Sequence, residues 1–281
     1  MIDQHQSPLN SGDDEHVAAA LESDPAQLAV IEEGLWAIQA VVVASPQRLE
    51  HTFPNDLSAL LCFGRAFRQC RAATLLSMFG YQTEALATLR GAYEAASLGR
   101  MLSKEPELAR RWLHEHEWVP DRKVRSWIDN FLEPGSSQTF GAAYRLLSAA
   151  THPTSRAALA LCDVDDAADT WRVRLSSTFD RSELSVSLDF VVATVGFVCA
   201  AITNAAASAD VIPVPIRQAF RRVLTYAANM SGLELSDDVR NPNWDEAQTR
   251  HDAYLGRVRA AADLEAELDS NPSSWRNTRP T

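Results

Sequence analysis

The run from Phe190 to Thr203 constrains this chain more than any other stretch. It is almost unbroken in its apolar character over about 14 residues, and Asp189 and Asn204 bound it. A membrane span needs roughly 20 apolar residues, so the run reads as the centre of a buried helix covering about 181–208. A helix with no polar face must be enclosed by other elements. The expected fold is therefore all-α, a multi-helix bundle packed around this segment. Composition agrees: 11 glycines in 281 residues, with abundant Ala and Leu, favour helix over sheet.

The enclosing helices are legible from their punctuation. Asp24 caps and Pro25 opens a helix carrying Leu28, Ile31, Leu35, Ile38 and Val42 at helical spacing, and it ends near Ser45-Pro46. Pro54-Asn55-Asp56 starts the next helix, which runs to Phe79 and stops at Gly80. A third covers about 82–102, and so short a connection implies an antiparallel helical hairpin. Shorter helices are expected at 105–117 and 122–132, then another from Pro213-Val214-Pro215 to Met230. Between them, the alternation in Thr170-Trp171-Arg172-Val173-Arg174-Leu175 suggests one short strand or hairpin arm near 170–176. The division expected is an acidic disordered tail over 1–14, a helical bundle domain over 15–232, a peripheral C-terminal helix over 233–268 and a disordered tail over 269–281.

The net charge of −11 is unevenly placed. Of the 37 acidic residues, eight precede Arg48, the first basic residue, leaving 29 acidic against 26 basic residues in the rest. A nearly neutral body gives no general electrostatic case for nucleic acid. Cys62, Cys70, Cys162 and Cys199 form no C-x-x-C pair, and the acidic N-terminus has no signal-peptide pattern. Both features point to a cytoplasmic protein with reduced, mostly buried thiols; no membrane segment, metal or other cofactor is expected.

Two polar sets stand out against this apolar background. Arg90 and Glu94 lie one turn apart inside the apolar arc formed by Leu86, Leu98 and Met101, and form either an internal ion pair or a site. If both were buried, Glu94→Ala would strand Arg90 and cost about 3 kcal/mol. Tyr144, Ser148 and His152 recur every four residues before Pro153 and so share a helix face with one another. Arg90, Glu94, Tyr144, Ser148 and His152 together suggest a buried polar network, with His152 bonded to a carboxylate such as Glu94.

The order Leu89-Arg90-x-x-x-Glu94, then Tyr144-x-x-Leu147-Ser148-x-x-x-His152-Pro153, resembles an uncharacterised family of bacterial all-helical proteins, a domain of unknown function. Its members carry an L-x-R-x-x-x-E helix and a Y-x-x-L-S-x-x-x-H motif. The resemblance spans roughly 57–205 and implies a fold more than an activity. It fits a soluble module that binds a small ligand or an unidentified protein partner.

A looser resemblance is to HEPN-type helical domains, whose ribonuclease members carry Arg, four to six residues, then His. Arg145 and His152 have that form. The resemblance implies a metal-independent ribonuclease of the toxin or phage-defence type, with RNA as substrate and the site shared across a homodimer. His152 would be general acid or base, and Arg145 would stabilise the charged phosphate. Leu146, where such motifs carry a polar residue, and the proline after His152 depart from the pattern.

Three further patterns have blander readings beside them. Asp165-Asp166-Ala167-Ala168-Asp169 has the D-D-x-x-D form with which helical isoprenoid synthases hold magnesium; an acidic turn explains Asp165, Asp166 and Asp169 equally. His114-Glu115-His116-Glu117 is badly spaced for zinc and reads as a surface helix end. Arg217, Arg221 and Arg222, beside Phe220 and Tyr226, form a basic stripe able to receive RNA phosphates or the chain's own acidic N-terminus, or simply a solvated face.

Overall fold

A computed structural model describes residues 13–44, 54–131, 147–148, 162–165, 170–173, 180–206 and 212–230. Eight helices are seen among them: α1 (Asp13–Ser23), α2 (Pro25–Ala44), α3 (Pro54–Met78), α4 (Gln82–Lys104), α5 (Pro106–His114), α6 (Asp121–Phe131), α7 (Arg181–Ala205) and α8 (Val214–Met230). Two short strands, β1 (Cys162–Asp165) and β2 (Thr170–Val173), pair antiparallel with Cys162 opposite Val173. The fold is an all-α bundle with this one hairpin, as the pattern predicts.

The apolar run forms α7, and it is the hub. Leu184, Leu188, Val191, Val192, Val195, Val198 and Cys199 are fully buried, and α7 packs against α2, α3, α4 and α8. Its start is fixed by Asp180, whose Oδ1 accepts hydrogen bonds from the backbone N–H groups of Ser182 and Glu183 at 2.7 and 3.0 Å. Tyr93 of α4 stacks on Phe197 of α7 with ring centroids 4.3 Å apart. On the other flank, the Ser77 and Ser187 hydroxyls meet at 2.6 Å inside the α3–α7 contact, each satisfying the other.

Helices α3 and α4 form the expected hairpin. Gly80 takes φ 83°, a left-handed conformation that favours glycine. The Gly80 N–H reaches the Ser77 carbonyl and the Tyr81 N–H reaches that of Leu76, which closes the end of α3 as a Schellman turn. The facing stripes are small: Ala59, Cys62, Ala66, Cys70 and Ala73 on α3, with Ala85, Ala92 and Ala96 on α4. Small side chains let the two backbones approach closely, and Gly99 lies where a Cβ would meet Cys62 Cβ at 2.9 Å.

Two features differ from the expectation. Residues 13–23, of which 13 and 14 are expected in the tail and the rest in the bundle domain without a helix assigned, form α1; its weak amphipathicity hides it, and it is held by contacts with α2, α3 and α7. The basic stripe on α8 is partly used internally: Phe220 is core, and Arg222 pairs with Glu33 of α2, one of the acidic residues preceding Arg48. The expected segments 1–12, 233–268 and 269–281 lie outside the described residues. By length and composition α2 and α7 could each cross a membrane; most of α7 is enclosed in the bundle, while α2 is the more exposed of the two.

A polar cluster joins α2 and α7. Gln27 Nε2 donates to Asp189 Oδ1 and to the Ser185 carbonyl. Burial pushes the Asp189 carboxyl above its ordinary range; the Gln27 hydrogen bond opposes this, and the nearby Asp24 adds to it. Because the folded state holds this proton more tightly than the unfolded state, the penalty is absent below the ordinary value of 3.8 and grows as pH rises through the folded pKa. Asp189→Asn should therefore raise the urea midpoint at pH 7 and leave it nearly unchanged near pH 4. A difference independent of pH would show that Asp189 carries no such penalty.

Candidate functional site

Helices α3, α4, α5 and α6 leave a cavity of about 540 Å³ between them, a size suited to a small organic ligand. Among the described residues, its wall on α3 is Leu61, Cys62 and Arg65, neighbours one turn apart on one face. On α4 the same spacing brings Arg90, Gly91, Glu94, Ala95 and Leu98 together. Trp112 of α5, Trp118 and Val119 of the connector, and Asp121 and Val124 of α6 complete it.

The connector between α5 and α6 is bent and fastened. His116 takes φ 56°, an uncommon conformation for a residue with a side chain. The Arg111 carbonyl accepts from the N–H groups of both Glu115 and Glu117. Glu117 then spans two helices: Oε2 accepts from Arg111 Nε at 2.5 Å, and Oε1 from Lys123 Nζ at 3.2 Å. These hydrogen bonds, that of Arg111 first, hold the Glu117 carboxyl below the usual carboxylate range. With Glu117 so engaged, Val119 is buried and Trp118 is left 81% exposed at the rim. Leu61, also exposed, lines the same cavity.

Arg90 and Glu94 are paired, Nε to Oε1, at 3.0 Å. The pair is not sealed in the core: the side chains are 19% and 40% exposed on the cavity wall. The helix periodicity points them into the bundle, but α5 and α6 stand off α4 here and leave the gap. The cost of Glu94→Ala should accordingly be below about 1 kcal/mol, not the roughly 3 kcal/mol of a stranded buried charge. A urea midpoint lowered by the larger amount would mean that the pair is closed off in solution.

Of the other residues singled out in the sequence, Ser148 is buried, with helical backbone, and its Oγ has no hydrogen-bond partner. Tyr144, Arg145 and His152 lie outside the described residues, as do Asp166 and Asp169. Asp165 is the last residue of a strand, opposite Thr170, whereas a diphosphate-binding D-D-x-x-D needs a helix. Among the described residues no three His, Cys, Asp or Glu side chains gather as a metal site. Cys62, the one cysteine on the cavity wall, has its thiol pushed up to about 12 by burial, with Arg65 acting weakly against this. It stays protonated near neutral pH and is a poor nucleophile.

Arg65, Trp112, Trp118 and Asp121 escaped the sequence reading. Trp118 carried a signal: it is a lone large aromatic inside the polar connector Glu115-His116-Glu117-Trp118-Val119-Pro120. In the resembled family's first motif a residue separates Leu from Arg, whereas Leu89 adjoins Arg90 here. No family model, no curated protein and no solved structure matches the chain.

Proposed function

We propose that this protein is a small-ligand-binding module whose site is the cavity between α3, α4, α5 and α6. One observation carries the reading: a fastened connector holds Trp118 in solvent at the mouth of a pocket that already contains a charged pair. Exposing an indole forgoes the burial of a large apolar surface. The Glu117 clasp keeps it there, while Arg90 and Glu94 supply oriented polar groups inside. Apolar walls with a few fixed polar groups are the usual make-up of a ligand pocket. A titrating nucleophile is missing from the described walls, which favours binding over covalent chemistry.

Leu61→Trp tests the site, because this exposed residue can take a larger side chain across the mouth without overpacking the core. Aromatic fragments detected by saturation-transfer NMR on the native protein should lose their signal with this variant. Fragment binding unaffected by the substitution would place the site elsewhere. Total RNA incubated with the protein, with and without EDTA, should remain intact. EDTA-insensitive cleavage that disappears in His152→Ala would replace the binding module with the ribonuclease reading.

A further inference from the structure

We infer that the ligand is a planar aromatic anion, with its ring against Trp118 and Trp112 and its acidic group on Arg65. The inference rests on the cavity being the binding site. The pairing of charges on the wall supplies the argument: among the described residues it carries Arg65 and Arg90 against Glu94 and Asp121. Arg90 is engaged by Glu94 across 3.0 Å. Arg65 lines the same cavity from α3 and has no carboxylate within ion-pair distance among the described residues. Asp121 lies on the α6 side of the same wall but is not ion-paired with Arg65, so the Arg65 guanidinium is left open to an anion in the cavity. A guanidinium presents a planar fork matched to a carboxylate or phosphate, and such charge-assisted bonds are about twice as strong as neutral ones.

The two indoles favour an aromatic body over an aliphatic one. Trp112 is partly buried against the core, and Trp118 is the most exposed of the large apolar side chains among the described residues. A flat ring system covers such surfaces with little loss of its own conformational freedom, and stacking adds about 0.5–1.5 kcal/mol beyond area burial. Leu61, Leu98 and Val124 supply further apolar wall. Carboxylate and phosphate are chemically equivalent for this purpose; the anion and the ring are what the wall selects.

Isothermal titration with three matched probes tests this: 2-naphthoate, neutral 2-naphthalenemethanol and cationic 2-naphthylmethylammonium. Naphthoate should bind at least about tenfold more tightly than the alcohol, the difference one charge-assisted hydrogen bond supplies. Arg65→Gln, at an exposed position, should bring the two to parity. Trp118→Ala should weaken both by a similar factor. If the alcohol or the ammonium binds as tightly as naphthoate, or if Arg65→Gln keeps the preference, the anion assignment is overturned and the cavity reading stands. If no probe binds the native protein, or naphthoate binds Leu61→Trp equally well, both fall together.

Discussion

Gly34→Ala should destabilise the protein by about 2 kcal/mol, although alanine is the better helix former. A Cβ at this position in α2 would lie 2.4 Å from Val195 Cγ1 on α7 and 3.1 Å from Val223 Cγ2 on α8. Both neighbours are valines, whose χ1 is restricted, and Val195 and Val223 are fully buried. Neither methyl group can swing away, so the helices must separate. Overpacking of this kind costs about 1–3 kcal/mol or more, against roughly 1 kcal/mol regained from helix propensity. Gly64→Ala is the matched control: its Cβ would meet only Val42 Cγ1, at an ordinary 3.8 Å. That substitution should stabilise by about 0.5–1 kcal/mol. Urea midpoints of the two variants should therefore move in opposite directions. Equal shifts would mean that α2 does not pack against α7 and α8 as closely as described.

The second large effect is expected at Trp127, where fold and site are coupled. Its side chain is buried, and its indole Nε1–H donates to Glu105 Oε1 at 2.9 Å. Glu105 is the joint between α4 and α5, and its carbonyl accepts from Ala109 in the first turn of α5. One tryptophan thus fastens α6 to the α4–α5 corner, and α6 brings Asp121 and Val124 to the cavity. Trp127→Ala should cost about 4 kcal/mol through lost packing and the stranded hydrogen-bond partner. Trp127→Phe keeps most of the apolar volume and should cost about 1.5 kcal/mol, the share of a hydrogen bond to a charged group. Ligand binding should survive the second substitution and fail in the first, as measured by naphthoate titration at a temperature where both variants are folded. Full binding by Trp127→Ala would show that α6 does not form part of the site.

These predictions separate what local pattern encodes from what only packing reveals. The buried helix, the α3–α4 hairpin with its stop at Gly80, and the starts at Pro25 and Pro54 were all legible, because each has a local cause: an apolar run, a left-handed glycine, a proline at the first turn. The strand at Thr170–Val173 was legible from its alternation; its partner Cys162–Asp165 was not, since four residues are too few to establish a period. Asp165, read in the sequence with Asp166 and Asp169, ends the first of these strands and is not on a helix. Helix α1 lacks an apolar stripe of its own and becomes visible only against its neighbours.

At the site, sequence identified Arg90 and Glu94 as a pair but placed them too deep. Helical periodicity says which way a side chain points and not how far off the next helix stands. Arg65, Trp112, Trp118 and Asp121 come from three helices and a connector, and nothing local brings them to Arg90. The Glu117 clasp was hidden for a related reason: its partners, Arg111 and Lys123, are each six residues away, a spacing without a helical meaning across a bend at His116.

The most direct measurement is ¹⁹F NMR of the protein labelled with 5-fluorotryptophan, with resonances assigned through Trp36→Phe, Trp112→Phe, Trp118→Phe and Trp127→Phe. On addition of 2-naphthoate, the signals of Trp112 and Trp118 should shift together and saturate with one affinity. Trp36, exposed on α2 and not part of the cavity wall, should stay in place. Shifts at Trp36 without change at Trp112 and Trp118, or no saturable shift at all, would contradict a binding site between α3, α4, α5 and α6.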